Sequence, residues 1–202
     1  MRRFLIPQIA LRNLPMMMGV AAIGSVFAGV YGVLHDQVTY GISPEYFTKL
    51  KFDQFHYADF GFPPRVFVAQ IGFLATWWVG FFCAWFLARR LTPGQPRRRA
   101  LRQIAVGFAM IFASALLSAG VGFGYGVWCG SGADYASWRP MLNSLDIQDH
   151  WAFIRVAYIH NASYAGGLLG LVVALLLIRP QYDGQPGSCG ETNCQIARSV
   201  DA

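Results

Sequence analysis

The sequence predicts an all-α polytopic membrane protein, a bundle of four transmembrane helices, and three observations lead there. Of its 202 residues, 55% are hydrophobic and only 13% charged, where a soluble domain carries about 25% charged residues. Four apolar stretches, about 14–34, 66–88, 104–128 and 156–178, contain no acidic residue. Each has roughly 20 residues or more, enough at about 1.5 Å per residue to cross about 30 Å of hydrocarbon. Finally, Arg89, Arg90, Arg97, Arg98, Arg99 and Arg102 crowd the short link between the second and third stretches. Such a loop stays on the cytoplasmic side, because moving its charge across the bilayer is unfavourable.

With that loop inside, alternation orients the rest. Arg2, Arg3 and Arg12 lie inside with the N-terminus, the links after the first and third stretches lie outside, and Arg179 returns the C-terminus to the cytoplasm. Arg12 interrupts the first segment, and the apolar run behind it exceeds the roughly 7–15 residues of a signal-peptide core, so this segment reads as an uncleaved anchor. Residues 1–179 form the four-helix domain. Residues 180–202, with Pro186, Gly187 and few apolar side chains, read as a disordered cytoplasmic tail. The net charge of +6 belongs to these flanks; it marks topology, not nucleic-acid binding.

The first outer link is dense in aromatics, among them Tyr40, Tyr46, Phe47, Phe52 and Phe55. Ser43-Pro44-Glu45 is a helix start: a hydroxyl cap, proline in the first turn, and an acid near the positive end of the dipole. A short interfacial helix from Pro44 to Gln54 follows, with Phe47, Leu50 and Phe55 on one side, dipped into the headgroup region. The second outer link, with Tyr135, Trp138 and Trp151, has the same character. In the third stretch Gly120, Gly122, Gly124 and Gly126, and in the fourth Gly166, Gly167 and Gly170, open grooves for close helix contact. That contact serves the bundle itself, or, through Gly166 and Gly170, a second copy or another membrane partner beside the lipid bilayer.

Chemistry concentrates on the outer side. His35, His56, His150 and His160 all lie on or near it, as do seven of the ten acids. His160 stands inside the fourth stretch, with Asn161 beside it and Tyr164 one turn on; polar groups at membrane depth need partners, so this face turns into the bundle. His35 and Asp36 end the first stretch at similar depth, followed by Tyr40. The cluster His35, Asp36, Tyr40, His160, Asn161 and Tyr164 therefore has three readings. It is a hydrogen-bonded cap that fixes packing; or a haem or transition-metal site on His35 and His160, with Asp36 or His150 beside them; or a small-molecule or proton-coupled site. No metal-ligand or haem-attachment motif accompanies the histidines. Cys83 and Cys129 differ in depth, and Cys189 and Cys194 are too loosely spaced for a zinc or redox motif. Phosphate loops, nucleophile elbows and paired hydrolytic carboxylates are also missing, which favours a non-enzymatic protein that binds, senses or assembles at its outer face over a haem- or metal-dependent redox protein.

Two blocks carry a resemblance. The run from His35 to Phe52 (HDQ-x-TY-x-ISPEYFTK-x-KF) and that from Tyr158 to Tyr164 are similar to signatures of small bacterial inner-membrane proteins of unassigned function, and together cover about an eighth of the chain. The resemblance implies a bacterial inner membrane and no particular activity.

Overall fold

The computed structural model describes residues 11–180. Arg2, Arg3 and the tail from 181 onward, with Cys189 and Cys194, lie outside the described residues. Within them the structure is helical: a 3₁₀ turn Leu11–Asn13, α1 Leu14–Ile42, a π-helical segment Tyr46–Lys51, α2 Phe52–Gln54, a 3₁₀ turn His56–Ala58, α3 Pro64–Leu91, α4 Arg97–Cys129, α5 Arg139–Ser144 and α6 His150–Leu177. Four of these helices are long and apolar enough to cross a membrane. Leu117, Val121, Leu168 and Leu176 lie open on their outer faces, as side chains facing lipid would.

All four helices outrun the apolar stretches. α1 continues past Leu34 to Ile42, α4 begins at Arg97, and α6 begins at His150. Capping explains the last of these: Asp149 Oδ1 accepts the Ala152 amide at 2.9 Å, satisfying one of the free donors of a helix start. At the arginine end the polarity is mixed. Arg89 and Arg90 sit in the last turn of α3, where the helix dipole favours cations, but Arg97, Arg98 and Arg99 open α4, where it opposes them by about 0.3–1 kcal/mol each.

The helices associate as two antiparallel pairs, α1 with α3 and α4 with α6, joined by a thinner seam. Glycine makes each pair close. A methyl group on Gly32 would strike the Gly72 carbonyl oxygen, and Gly24 and Gly80 stand in the same relation one level away. Thr76 Oγ1 adds a bond to the Ala28 carbonyl across this contact at 2.8 Å. In the other pair Gly122, Gly126, Gly166 and Gly170 meet the opposite helix, and Ser114 Oγ donates to the Gly166 carbonyl at 2.7 Å. Gly166 and Gly170, which the sequence offers equally to a second copy or a membrane partner, thus face α4 within the chain. A Cβ at Gly120 or Gly124 would meet nothing within 4 Å.

The core has two main layers. Near the arginine end Met17, Cys83, Leu87, Leu91, Ile104, Ile111 and Ala174 pack together. At the opposite end Tyr46, Phe47, Val68, Leu142, Phe153 and Ile154 do so. Between the layers a narrow cleft opens.

Candidate functional site

Helix phase brings the site together. Tyr31, His35 and Thr39 recur every four residues on α1 and Asp36 adjoins them, so one stripe of an otherwise apolar helix is polar. α6 presents His160 and Ser163 to it. His35 and His160 meet edge to face, with ring centroids 4.8 Å apart and planes at 78°. His160 Nε2 lies 3.8 Å from Asp36 Oδ1 and 3.2 Å from Thr39 Oγ1. Thr39 uses its own proton on the carbonyls of His35 (3.1 Å) and Asp36 (3.3 Å), which leaves its oxygen to accept from the imidazole. Tyr31 Oη binds Ser163 Oγ at 2.8 Å and reaches His35 Nδ1 at 3.4 Å. Asp36, Thr39, His160 and Ser163 are all buried. One ligand-type atom each from His35, Asp36 and His160 falls within 4.8 Å of the others.

The site is deeper than the sequence suggests. His35 and Asp36 do not end α1: His35 lies seven residues before Ile42, about 10 Å from the helix end, and His160 lies ten residues after His150, about 15 Å in. Two residues of the expected cluster stand apart from it. Asn161 is exposed on the outer face of α6, because it is 100° of helical turn from His160. Tyr40 packs on Phe47 with centroids 5.6 Å apart and under the Arg65 guanidinium, so it supports the lid and not the cluster. Tyr164 does line the cleft. His56 bonds the Asp53 carbonyl in the exposed link, and His150 borders a separate surface hollow. Tyr31, Thr39, Tyr46, Phe47 and Lys51 take part without having been singled out as ligand-site residues. Their signal was the four-residue spacing from His35 on one side and the proximity of the helix start on the other.

The lid is the helical segment that follows Ser43. Its start is as expected, with Ser43 Oγ accepting the Tyr46 amide at 3.4 Å. Its aromatics behave differently. Phe47 is fully buried in protein, not dipped into a headgroup layer, and Tyr46 and Phe47 lie on His160 with centroids 5.1 and 6.2 Å away. The Glu45 carboxylate fastens the lid by accepting the Gln148 and Asp149 amides, the latter at 2.9 Å. Lys49 reaches Asp146 across the same junction. The π turn sets Lys51 five residues after Tyr46 and over its ring, 5.8 Å from the centroid.

Burial holds the Tyr46 hydroxyl protonated, above the ordinary phenol range, and the charge of Asp36 adds to that. Burial also lowers Lys51 below the ordinary lysine range, and Asp36 draws it partway back. Because the folded state holds this proton less tightly than the unfolded chain, stability rises with pH between the folded pKa and the usual lysine value of about 10.4. Below that window Lys51 is charged in both states and its burial cost is constant. The Lys51→Met variant is therefore expected to be more stable than the wild type near neutral pH, on the order of 0.5–1 kcal/mol. That advantage should shrink as pH passes through the window. Thermal unfolding in detergent across pH checks it, and a pH-independent difference would contradict the electrostatic cause.

The cleft below the cluster is lined by all four long helices, including Gly32, Cys83, Phe108, Phe112, Ser163 and Gly167, and has a cavity volume of about 70 Å³. Cys83 and Cys129 are both free thiols. No known protein family, curated protein or solved structure matches the chain.

Proposed function

We propose that this chain is a multi-pass protein of a bacterial inner membrane that binds a divalent first-row transition-metal ion through His35, Asp36 and His160. The observation that carries this reading is the convergence of two imidazoles and a carboxylate from distant parts of the sequence. Two neutral nitrogens and one anionic oxygen are the donor set of open three-ligand zinc and non-haem iron sites. Metal–ligand bonds of about 2.0–2.2 Å place tetrahedral donors about 3.3–3.6 Å apart, so side-chain rotation would have to close the widest separation, up to 4.8 Å, by about an ångström. His35 would coordinate through Nε2, leaving Nδ1–H to donate to Tyr31 and so to Ser163, the kind of outer contact that fixes a ligating imidazole. His160 would exchange its bond to Thr39 for the metal, its ring proton then residing on Nδ1. A free position faces the cleft.

The contact between the two rings favours a bare ion over haem, since a porphyrin between them would have to part α1 from α6. The role is binding, sensing or partner assembly in the outer half of the membrane; the arginine end is cytoplasmic, as are both termini. Purified protein loaded with zinc, cobalt or iron and washed should retain about one ion per chain, and cobalt should give a low-coordinate visible spectrum. A metal content near zero after each loading would overturn the reading, and a Soret band would replace it with haem. Reporter fusions at Gln95 and Gly61 should read cytoplasmic and periplasmic respectively.

A further inference from the structure

A second hollow opens on the outside of the bundle, where the two helix pairs meet. It runs between Val20, Ile23 and Phe27 of α1 and Leu101, Ile104 and Ala105 of α4, and every residue lining it is apolar. Phe108 and Phe112 line both this groove and the central cleft. Their rings stack one turn apart, with centroids 6.0 Å apart, and form the partition between the two spaces. Both helices are among those long and apolar enough to span a membrane, so the groove faces hydrocarbon, while the far end of the cleft reaches the polar cluster. Val20 and Tyr31 are eleven residues apart on α1, about 16 Å along the helix. With those two rings turned aside, groove and cleft would run on from lipid toward the histidines over that length.

We infer that the site takes a membrane amphiphile of the prenyl-quinone class, which enters sideways past Phe108 and Phe112. Its tail lies in the groove and its flat head lies beside Tyr31, Ser163 and the metal. The inference rests on the metal-site reading above. Aromatic walls suit a planar head; Tyr31 and Phe112, for example, are 5.6 Å apart between centroids. Neither space is lined by lysine or arginine, so nothing there pairs with a phosphate or a fatty-acid carboxylate except the ion, whose charge Asp36 already reduces.

The test uses the full-length protein in nanodiscs, zinc-loaded, with decylubiquinone as probe and its tail-less benzoquinone analogue as control. Ala105→Trp and Ile23→Trp fill the groove from opposite walls at lipid-facing positions that the fold leaves open. Decylubiquinone should bind the wild type and bind each variant at least tenfold more weakly. The tail-less analogue should not distinguish them, and zinc content should stay at one ion per chain. Equal affinity in wild type and variants, no decylubiquinone binding by the zinc-loaded wild type, or displacement of the probe by palmitate at equal concentration would each overturn the inference while leaving the metal reading intact. Failure of the wild type to hold zinc, by contrast, would remove the metal reading whatever the groove variants do.

Discussion

Replacing His160 by glutamine is expected to abolish metal retention while the bundle stays folded. Glutamine keeps most of the volume against Tyr46 and Phe47 and can still bond Thr39 Oγ1, so packing changes little. The metal loses one of three protein ligands, and a weakening of more than 100-fold, above about 2.7 kcal/mol, should follow. The sharper readout is linkage. An ion that binds only the folded state at 100 times its dissociation constant stabilises by about 2.7 kcal/mol. Added zinc should therefore raise the unfolding temperature of the wild type and leave the variant unmoved. If the cluster merely fixes packing, the pattern reverses. Zinc then moves neither protein, and His160→Ala, which loses the Thr39 bond, falls by about 1–2 kcal/mol, the scale of a lost interhelical hydrogen bond in a membrane. Lys51→Met carries a weaker version of the same test. Removing a cation from above the site should tighten zinc binding about three- to tenfold, about 0.7–1.4 kcal/mol.

The second large effect is structural. Gly72→Leu should leave little folded protein, because a Cβ at Gly72 would lie 2.6 Å from the Gly32 carbonyl carbon and 2.9 Å from the Val33 nitrogen. Both obstacles are backbone and cannot rotate away. Overpacking a core usually costs about 1–3 kcal/mol, and the collision here is between two main chains, so the cost should exceed that range. A Cβ at Gly124 on α4 would meet nothing within 4 Å, and Gly124→Leu serves as the control. Equal yields and unfolding temperatures for the two variants would mean that α1 and α3 do not approach as described.

Much of the architecture was legible in the sequence because lipid demands uninterrupted apolar runs, and four such runs are unmistakable. Their ends were not. The polar residues Asp36, Gln37 and Thr39 look like a helix exit but continue α1, since Asp36 and Thr39 turn into the site and Gln37 bonds Arg65 of α3. His150 to Arg155 looks like a loop, yet Arg155 lies on the Trp151 ring, 4.2 Å from guanidinium to centroid, which lets a charged residue occupy the first turns of α6. The similar depth of the two histidines was readable, but that they meet was not. The correct partners were not, because choosing Ser163 over Asn161 requires the helix phase, and phase follows from which neighbour the helix packs against. Nor does any composition signal announce a π turn. The sequence located the lid helix but could not say that its aromatics enter the protein.

That π turn carries one further consequence, a matter of phase. A helix closed by bonds five residues apart holds one residue more per local loop than an α-helix. The lid is anchored at both ends, by Glu45 on the start of α6 and by Phe52 against Phe67 of α3. The extra residue is therefore a vernier between two fixed marks. Removing one residue between Thr48 and Leu50 would restore the α ladder and rotate everything before or after it by about 100°. Tyr46 could then no longer lie on His160 with Lys51 over its own ring. Chain length in this short stretch, as much as residue identity, sets which chemical group covers the site.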